Sequence, residues 1–273
     1  MDTKKILINF IFFGIIISFF GGFFLGENSA GAGGYVGDLS WIKKNIEIFK
    51  NNTTLEAIQH PDIFGNRPPL IYIINKFFNP YFYNLEKYRI FVFILSLIGP
   101  LFLFIGLKIK FKNTKTEYLT VLSVLILLSP YYRTSGFWAL NENYGILSAI
   151  ISLMFLNLSL LKISFDGLKE KLYLFFTILF SSACVYFDQK LVIIPIICFF
   201  SFFYYFKRTS IKIFVFFLYA FLSIPFLYLI YLWNGIVPIK TQIANPNTIT
   251  NLSRINDFYF INIGYATTMI GFY

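Results

Sequence analysis

Charge is what this chain has least of. Only 13% of its 273 residues are Asp, Glu, Lys or Arg, about half the ~25% of an average soluble domain. That deficit excludes an ordinary soluble domain. With 57% hydrophobic and 22% aromatic residues and a mean hydropathy of +0.68, it leaves an all-α membrane protein of many spans. Cysteine is nearly absent too. Cys184 and Cys198 both fall inside apolar runs, which argues against a disulfide or a metal site and leaves the redox compartment unread. A nucleotide-phosphate loop is also missing. The stretch GAGGYVGDLSW, residues 31–41, packs four glycines before Asp38. A Walker-type cradle needs Lys-Ser/Thr after its glycines, and here Tyr35-Val36-Gly37-Asp38 follows instead.

What is abundant is apolar sequence. The first run, Ile6 to Leu25, follows Lys4 and Lys5. It is too long for a signal-peptide core of roughly 7–15 residues and long enough to cross ~30 Å of hydrocarbon, so it reads as a retained span. Further runs are Ile90–Leu107, Tyr118–Leu128, Tyr144–Leu161, Leu172–Tyr186, Leu191–Phe206, Ile213–Trp233 and Phe258–Tyr273. The expectation is therefore one domain over 1–273, a bundle of about eight spans. Residues 26–88 form a long first outer loop carrying interfacial segments.

Lysine sets the sides. KIKFKNTK, KISFDGLKEK and KRTSIK are basic connections, and the positive-inside rule places all three in the cytoplasm together with the N-terminus. The inner segments then hold 12 Lys/Arg and 4 Asp/Glu, and the outer ones 11 and 9. The net charge of +10 thus orients the chain and faces anionic lipid. It does not read as a nucleic-acid surface. Ile90–Leu107 must run inward, which keeps the Pro-Pro stretch PPLIYIINKFFNPYFYN outside as an interfacial or re-entrant segment.

This topology gathers Asp38, His60, Asp62, Arg67, Glu86, Arg133, Glu142, Asp188 and Lys190 on the outer side. Ionisable groups near hydrocarbon are costly and mark function, or they snorkel to the interface. Leu39, Ile42, Ile46 and Phe49 share one face of a helical period in DLSWIKKNIEIFK, with lysines opposite, as in an amphipathic helix at the interface. Asp38 at its start is either an N-cap or a reactive carboxylate. In HPDIFGNRPPLIYII, two prolines hold the chain extended beside Arg67, where a guanidinium can grip a phosphate bidentately. SPYYRTSGFWALNENYGILSAI offers Arg133 and Glu142. YFDQKLVIIP pins Asp188 and Lys190 in a tight outer turn.

The order of these features resembles the polytopic C-type glycosyltransferases (GT-C fold) that use lipid-phosphate sugars. It is most similar to the bacterial branch of protein mannosyltransferase-like and aminoarabinose transferase-like enzymes. The resemblance rests on Asp38 after the first span, Arg67-Pro68-Pro69-Leu70, and Ser129-Pro130 followed by Arg133 and Glu142, and it covers about residues 1–200. It departs from the family pattern at Leu39, where an acid usually follows the first Asp, and at Glu142, where Asp is usual. Family members run well beyond 273 residues, so the resemblance implies a C-terminally shortened or partial chain.

The resemblance implies a bacterial inner-membrane enzyme that moves a sugar from a polyprenyl-phosphate donor to a lipid, glycan or protein acceptor at the outer face. Asp38 would be the base. Arg67, Arg133 and Lys190 would bind the donor phosphate. Glu142, with His60 and Asp62, would orient the sugar or a metal, and Glu142 is the candidate ligand for an optional divalent cation. Two other readings fit the composition: a transporter or flippase with a charged vestibule, and an assembly subunit without activity. Against transport stand the absence of mid-span acids and of a repeated hydropathy pattern.

Overall fold

The computed structural model describes residues 3–28, 37–65, 67–161 and 168–244. All regular structure among them is helical. Five helices are long and apolar enough to cross a membrane: Lys5–Phe24, Leu85–Lys110, Asn141–Leu161, Leu168–Phe187 and Thr209–Trp233. Two further apolar helices, Thr116–Leu128 and Gln189–Tyr205, are shorter. Seven of the eight apolar runs of the sequence thus become five spanning-length helices and two short ones. The last run, Phe258–Tyr273, lies outside the described residues.

In chain order, α1 is Thr3–Phe24, and α2 (Leu39–Asn51), α3 (Thr54–Gln59) and α4 (Leu70–Phe78) follow it. The pair α5 (Leu85–Ser96) and α6 (Ile98–Lys110) makes one crossing-length rod. Then come α7 (Thr116–Val124) with a 3₁₀ turn to Leu128, α8 (Pro130–Phe137), α9 (Asn141–Leu161), α10 (Leu168–Phe187), α11 (Ile193–Tyr205), α12 (Thr209–Trp233) and α13 (Ile239–Ala244). The Pro-Pro segment becomes α4, whose nine residues span only ~14 Å at 1.5 Å per residue. It is too short to cross.

Local chemistry fixes the helix starts. Thr53 and Glu56 form a capping box at α3, satisfying two free N–H groups reciprocally. Ser129 accepts from the Tyr132 N–H, and Pro130 opens α8, the first-turn position where its missing N–H costs nothing. A left-handed Asn234 (φ 49°) ends α12.

α9 is the most enclosed of the spanning-length helices. It packs against α6 on one side and α10 on the other. Its buried face continues into the main core, where Phe19, Phe93, Tyr132 and Phe137 meet. A second cluster lies toward the basic connections: Leu156, Leu174, Ile178, Cys198, Phe202 and Val215. The hairpin connectivity places the C-termini of α1, α10 and α12 and the N-termini of α2, α4, α8 and α9 at one end. Lys108, Lys169 and Lys212 at helix ends, with Lys112 and Lys115 in the connection from α6 to α7, belong to the other.

The helical period of α2 is as the sequence indicates: Leu39, Ile42, Ile46 and Phe49 are buried with Asn45. Its apolar face is not free for lipid. Phe49 stacks on Tyr72 of α4 at 5.3 Å between ring centroids, and Asn45 donates to the Tyr72 hydroxyl at 3.0 Å. An amphipathic stripe is satisfied equally by lipid or by protein, and here α4 supplies the partner.

Candidate functional site

At the polar end lies a cavity of ≈ 120 Å³ lined by Asp38, Trp41, Asn45, Arg67, Tyr72 and Asn141, among others. α2 brings in Asp38 and Trp41. Trp41 stacks on Phe64 at 3.9 Å. Asn45 accepts from the Phe64 N–H and donates to its carbonyl, so the loop before Arg67 is pinned to α2. α13 holds the same loop from beyond: the Thr241 hydroxyl bonds both the N–H and the carbonyl of Gly65.

Asp38 precedes α2 but makes no capping hydrogen bond and has helical φ/ψ (−65°, −43°). Its carboxylate is not spent on the helix end. The glycines at 31, 33 and 34 lie outside the described residues.

Arg67 is the centre of the site. Its Nη2 donates to Glu142 Oε1, and its Nε lies 4.0 Å from Asp188 Oδ1. Burial works against the guanidinium's charge, but the carboxylates of Glu142 and Asp188 outweigh it and hold the pKa above its ordinary value. Glu142 and Asp188 are themselves buried. The second Asp188 oxygen accepts from the Tyr131 hydroxyl at 2.6 Å. Burial, then the Glu142 carboxylate and this bond to Asp188, push the Tyr131 phenol up, so it stays protonated. Burial likewise raises Tyr72 to about 12.

Two buried oxygens here lack hydrogen-bond partners among the described residues: Asn141 Oδ1 and Glu142 Oε2. Such groups are rare and expensive. Asn141 lines the cavity, so a ligand that donates hydrogen bonds there, as a sugar does, would satisfy it.

The other sequence candidates are distributed differently. Arg133 is buried and engaged elsewhere. Its Nε and Nη2 fork onto Glu27, and its remaining donors reach the Ser18 carbonyl at 2.9 Å and the Leu127 carbonyl at 3.2 Å. It latches α8 to the end of α1, where Glu27, Ser18 and Leu127 take up its N–H groups. Gly22 makes the room: a Cβ there would collide with the Arg133 and Glu27 side chains. Lys190 follows Asp188 and holds its ammonium 5.6 Å from the Tyr131 ring centre, on the edge of the cluster. His60 Nδ1 accepts from the Asp62 N–H, and Asp62 pairs with Lys240, whose hydrogen bond keeps that carboxyl below its usual range. Both stand outside the Arg67 cluster, and the exposed Asp62 clamps α13 through Lys240.

The metal reading fits poorly. Among the described residues no group of three or more His, Cys, Asp or Glu is placed to hold a metal ion, and Glu142 Oε1 is committed to Arg67. The sequence alone assigns no role to Asp188, Tyr131, Asn141 or Glu27. Only the tight turn around Asp188 carried a signal.

A second cavity adjoins the first. It is an apolar groove of ≈ 350 Å³ between α4, α10 and α12, lined by Pro68, Pro69, Ile73, Ala183, Tyr186 and Leu229, among others. Pro69 borders both cavities. Arg67 therefore sits beside the joint between a polar chamber and an apolar one.

Compared with protein-family models, curated proteins and solved structures, the chain matches none.

Proposed function

We propose that this chain is a membrane glycosyltransferase that moves a sugar from a polyprenyl-phosphate donor to an acceptor hydroxyl on a lipid, glycan or protein. The observation that carries the reading is the joint at Pro69. An amphiphile with an isoprenoid tail, a phosphate and a sugar has the same order of chemistry as the apolar groove, Arg67 and the polar cavity. In this reading the site faces the outer side of a bacterial inner membrane, with the N-terminus cytoplasmic.

The donor's tail lies in the groove, and its phosphate takes the guanidinium N–H groups that Glu142 and Asp188 leave. Arginine carries five donors in a fixed fork, and among the described residues only one is drawn into a hydrogen bond here. Asp188 and Glu142 grip two edges of the guanidinium and so set its plane. Three carboxylates against Arg67 and Lys190 make the cluster acidic overall. Phosphate binding is thus confined to the N–H edge of Arg67, while acidic neighbours suit positive charge developing on the sugar.

Transfer is a displacement at the anomeric carbon. The acceptor oxygen forms the new bond, the carbon–oxygen bond to phosphate breaks, and its electron pair leaves with polyprenyl phosphate. Asp38 takes the acceptor's proton. Arg67 stabilises the charge growing on the departing phosphate. The test is transfer of labelled sugar from a polyprenyl-phosphate donor by the full chain in proteoliposomes, with Arg67 variants as controls.

A further inference from the structure

A third cavity, of ≈ 200 Å³, lies behind the groove and is lined by Val185, Val192, Pro195, Tyr219 and Phe226, among others. It is largely apolar, like the groove. The two share Ser182, Tyr186 and Leu222 on their walls. Of these three, Tyr186 has the largest side chain, and the fold fastens it in place.

The fastening uses the proline of α12. Pro225 lies inside that helix, has no N–H to give and strains the preceding turn. One residue on, Phe226 would ordinarily donate to the Leu222 carbonyl. The Tyr186 hydroxyl engages both ends of that step: it accepts from the Phe226 N–H at 3.2 Å and donates to the Leu222 carbonyl at 2.5 Å. The Tyr186 ring also meets Phe226 edge-on at 6.4 Å between centroids. These two hydrogen bonds fix the ring as a partition between two apolar chambers.

We propose that Tyr186 is a specificity-determining residue that sets how much of an isoprenoid tail the protein grips. This rests on the lipid-phosphate reading above. The tail fills the groove next to Pro69 and stops at the Tyr186 ring, and isoprene units beyond that point gain no further contact with protein. Replacing the ring by a methyl joins the two chambers and lets a longer tail continue into the second.

The experiment measures binding of geranyl, farnesyl and geranylgeranyl phosphate to the purified full chain in nanodiscs, for wild type, Tyr186→Phe and Tyr186→Ala. Wild type should gain affinity with length and then level off. Tyr186→Phe keeps the partition and loses only the two hydrogen bonds, so its length profile should match wild type. Tyr186→Ala should prefer geranylgeranyl over geranyl phosphate by at least about ten-fold more than wild type does, since each buried CH₂ is worth ~0.8 kcal/mol. An unchanged profile in Tyr186→Ala overturns the partition. So does an equal shift in Tyr186→Phe, which would assign the effect to a loosened α12. If wild type binds none of the three phosphates, the lipid-phosphate reading itself fails, and that is seen before any variant is compared.

Discussion

Arg67 and Glu142, 75 residues apart in sequence, meet in an ion pair at the N-terminus of α9. One carboxylate oxygen is bound to the guanidinium, and the other is buried without a partner among the described residues. The pair thus joins a loop held by prolines to the most enclosed helix of the bundle. Asp188 approaches from the end of α10 on the guanidinium's other edge. A close helix approach makes this convergence feasible. A Cβ on Gly145 of α9 would lie 2.8 Å from the Leu191 side-chain tip and 3.4 Å from the Asp188 side chain, so that turn of α9 packs closely against the end of α10.

Arg133 separates architecture from function. Its fork onto Glu27 is largely buried, and removing one partner of such a pair costs about 3–5 kcal/mol. Arg133→Ala should therefore lower the apparent melting temperature of the purified protein by several degrees, toward the low end of that cost because Glu27 is partly exposed. The fraction that remains folded should bind polyprenyl phosphate as wild type does. An unchanged melting temperature would dismiss the latch, and a selective loss of phosphate binding would return Arg133 to the site.

Asp38 separates capping from chemistry. Asn caps a helix about as well as Asp, and the side chain makes no capping bond here, so Asp38→Asn should fold and insert normally. Without a base, turnover should fall by ~10²–10⁴ while donor affinity stays near wild type. Single-turnover transfer by matched amounts of protein checks this. A variant within a few-fold of wild type would remove Asp38 from the mechanism.

Sidedness follows from the charge pattern. In sealed cells, an impermeant thiol reagent applied outside should label Asn52→Cys between α2 and α3, and leave Asn113→Cys between α6 and α7 unlabelled. External labelling of Asn113→Cys would invert the orientation and separate the site from the outer face.

Much of the bundle was legible because it depends on local properties. Apolar run lengths and the period of α2 are written in consecutive residues, and so are helix starts such as Ser129-Pro130. The pairing of charges was not legible. Arg67 and Arg133 each lie within three residues of a proline in a segment between apolar runs, and nothing nearby distinguishes them. Their fates are decided by Glu142 and Glu27, 75 and 106 positions away. The length of a crossing was only partly legible, since Tyr118–Leu128 and Leu191–Phe206 fold as short helices completed by 3₁₀ turns. The apolar face of α2 was read correctly as a face, but its partner, Tyr72, lay beyond the reach of periodicity.

The central claim is that Arg67 holds the phosphate of a lipid-linked sugar at the joint between the two cavities. It is tested most directly by single-turnover transfer of labelled sugar from a polyprenyl-phosphate donor, comparing reconstituted wild type, Arg67→Lys and Arg67→Ala. Wild type should transfer sugar. Arg67→Ala should lose about 10²–10³ in rate, the usual consequence of removing a donor to developing charge, and Arg67→Lys should recover only part because the fork is lost. No transfer by wild type, or an Arg67→Ala variant as fast as wild type, would contradict the account.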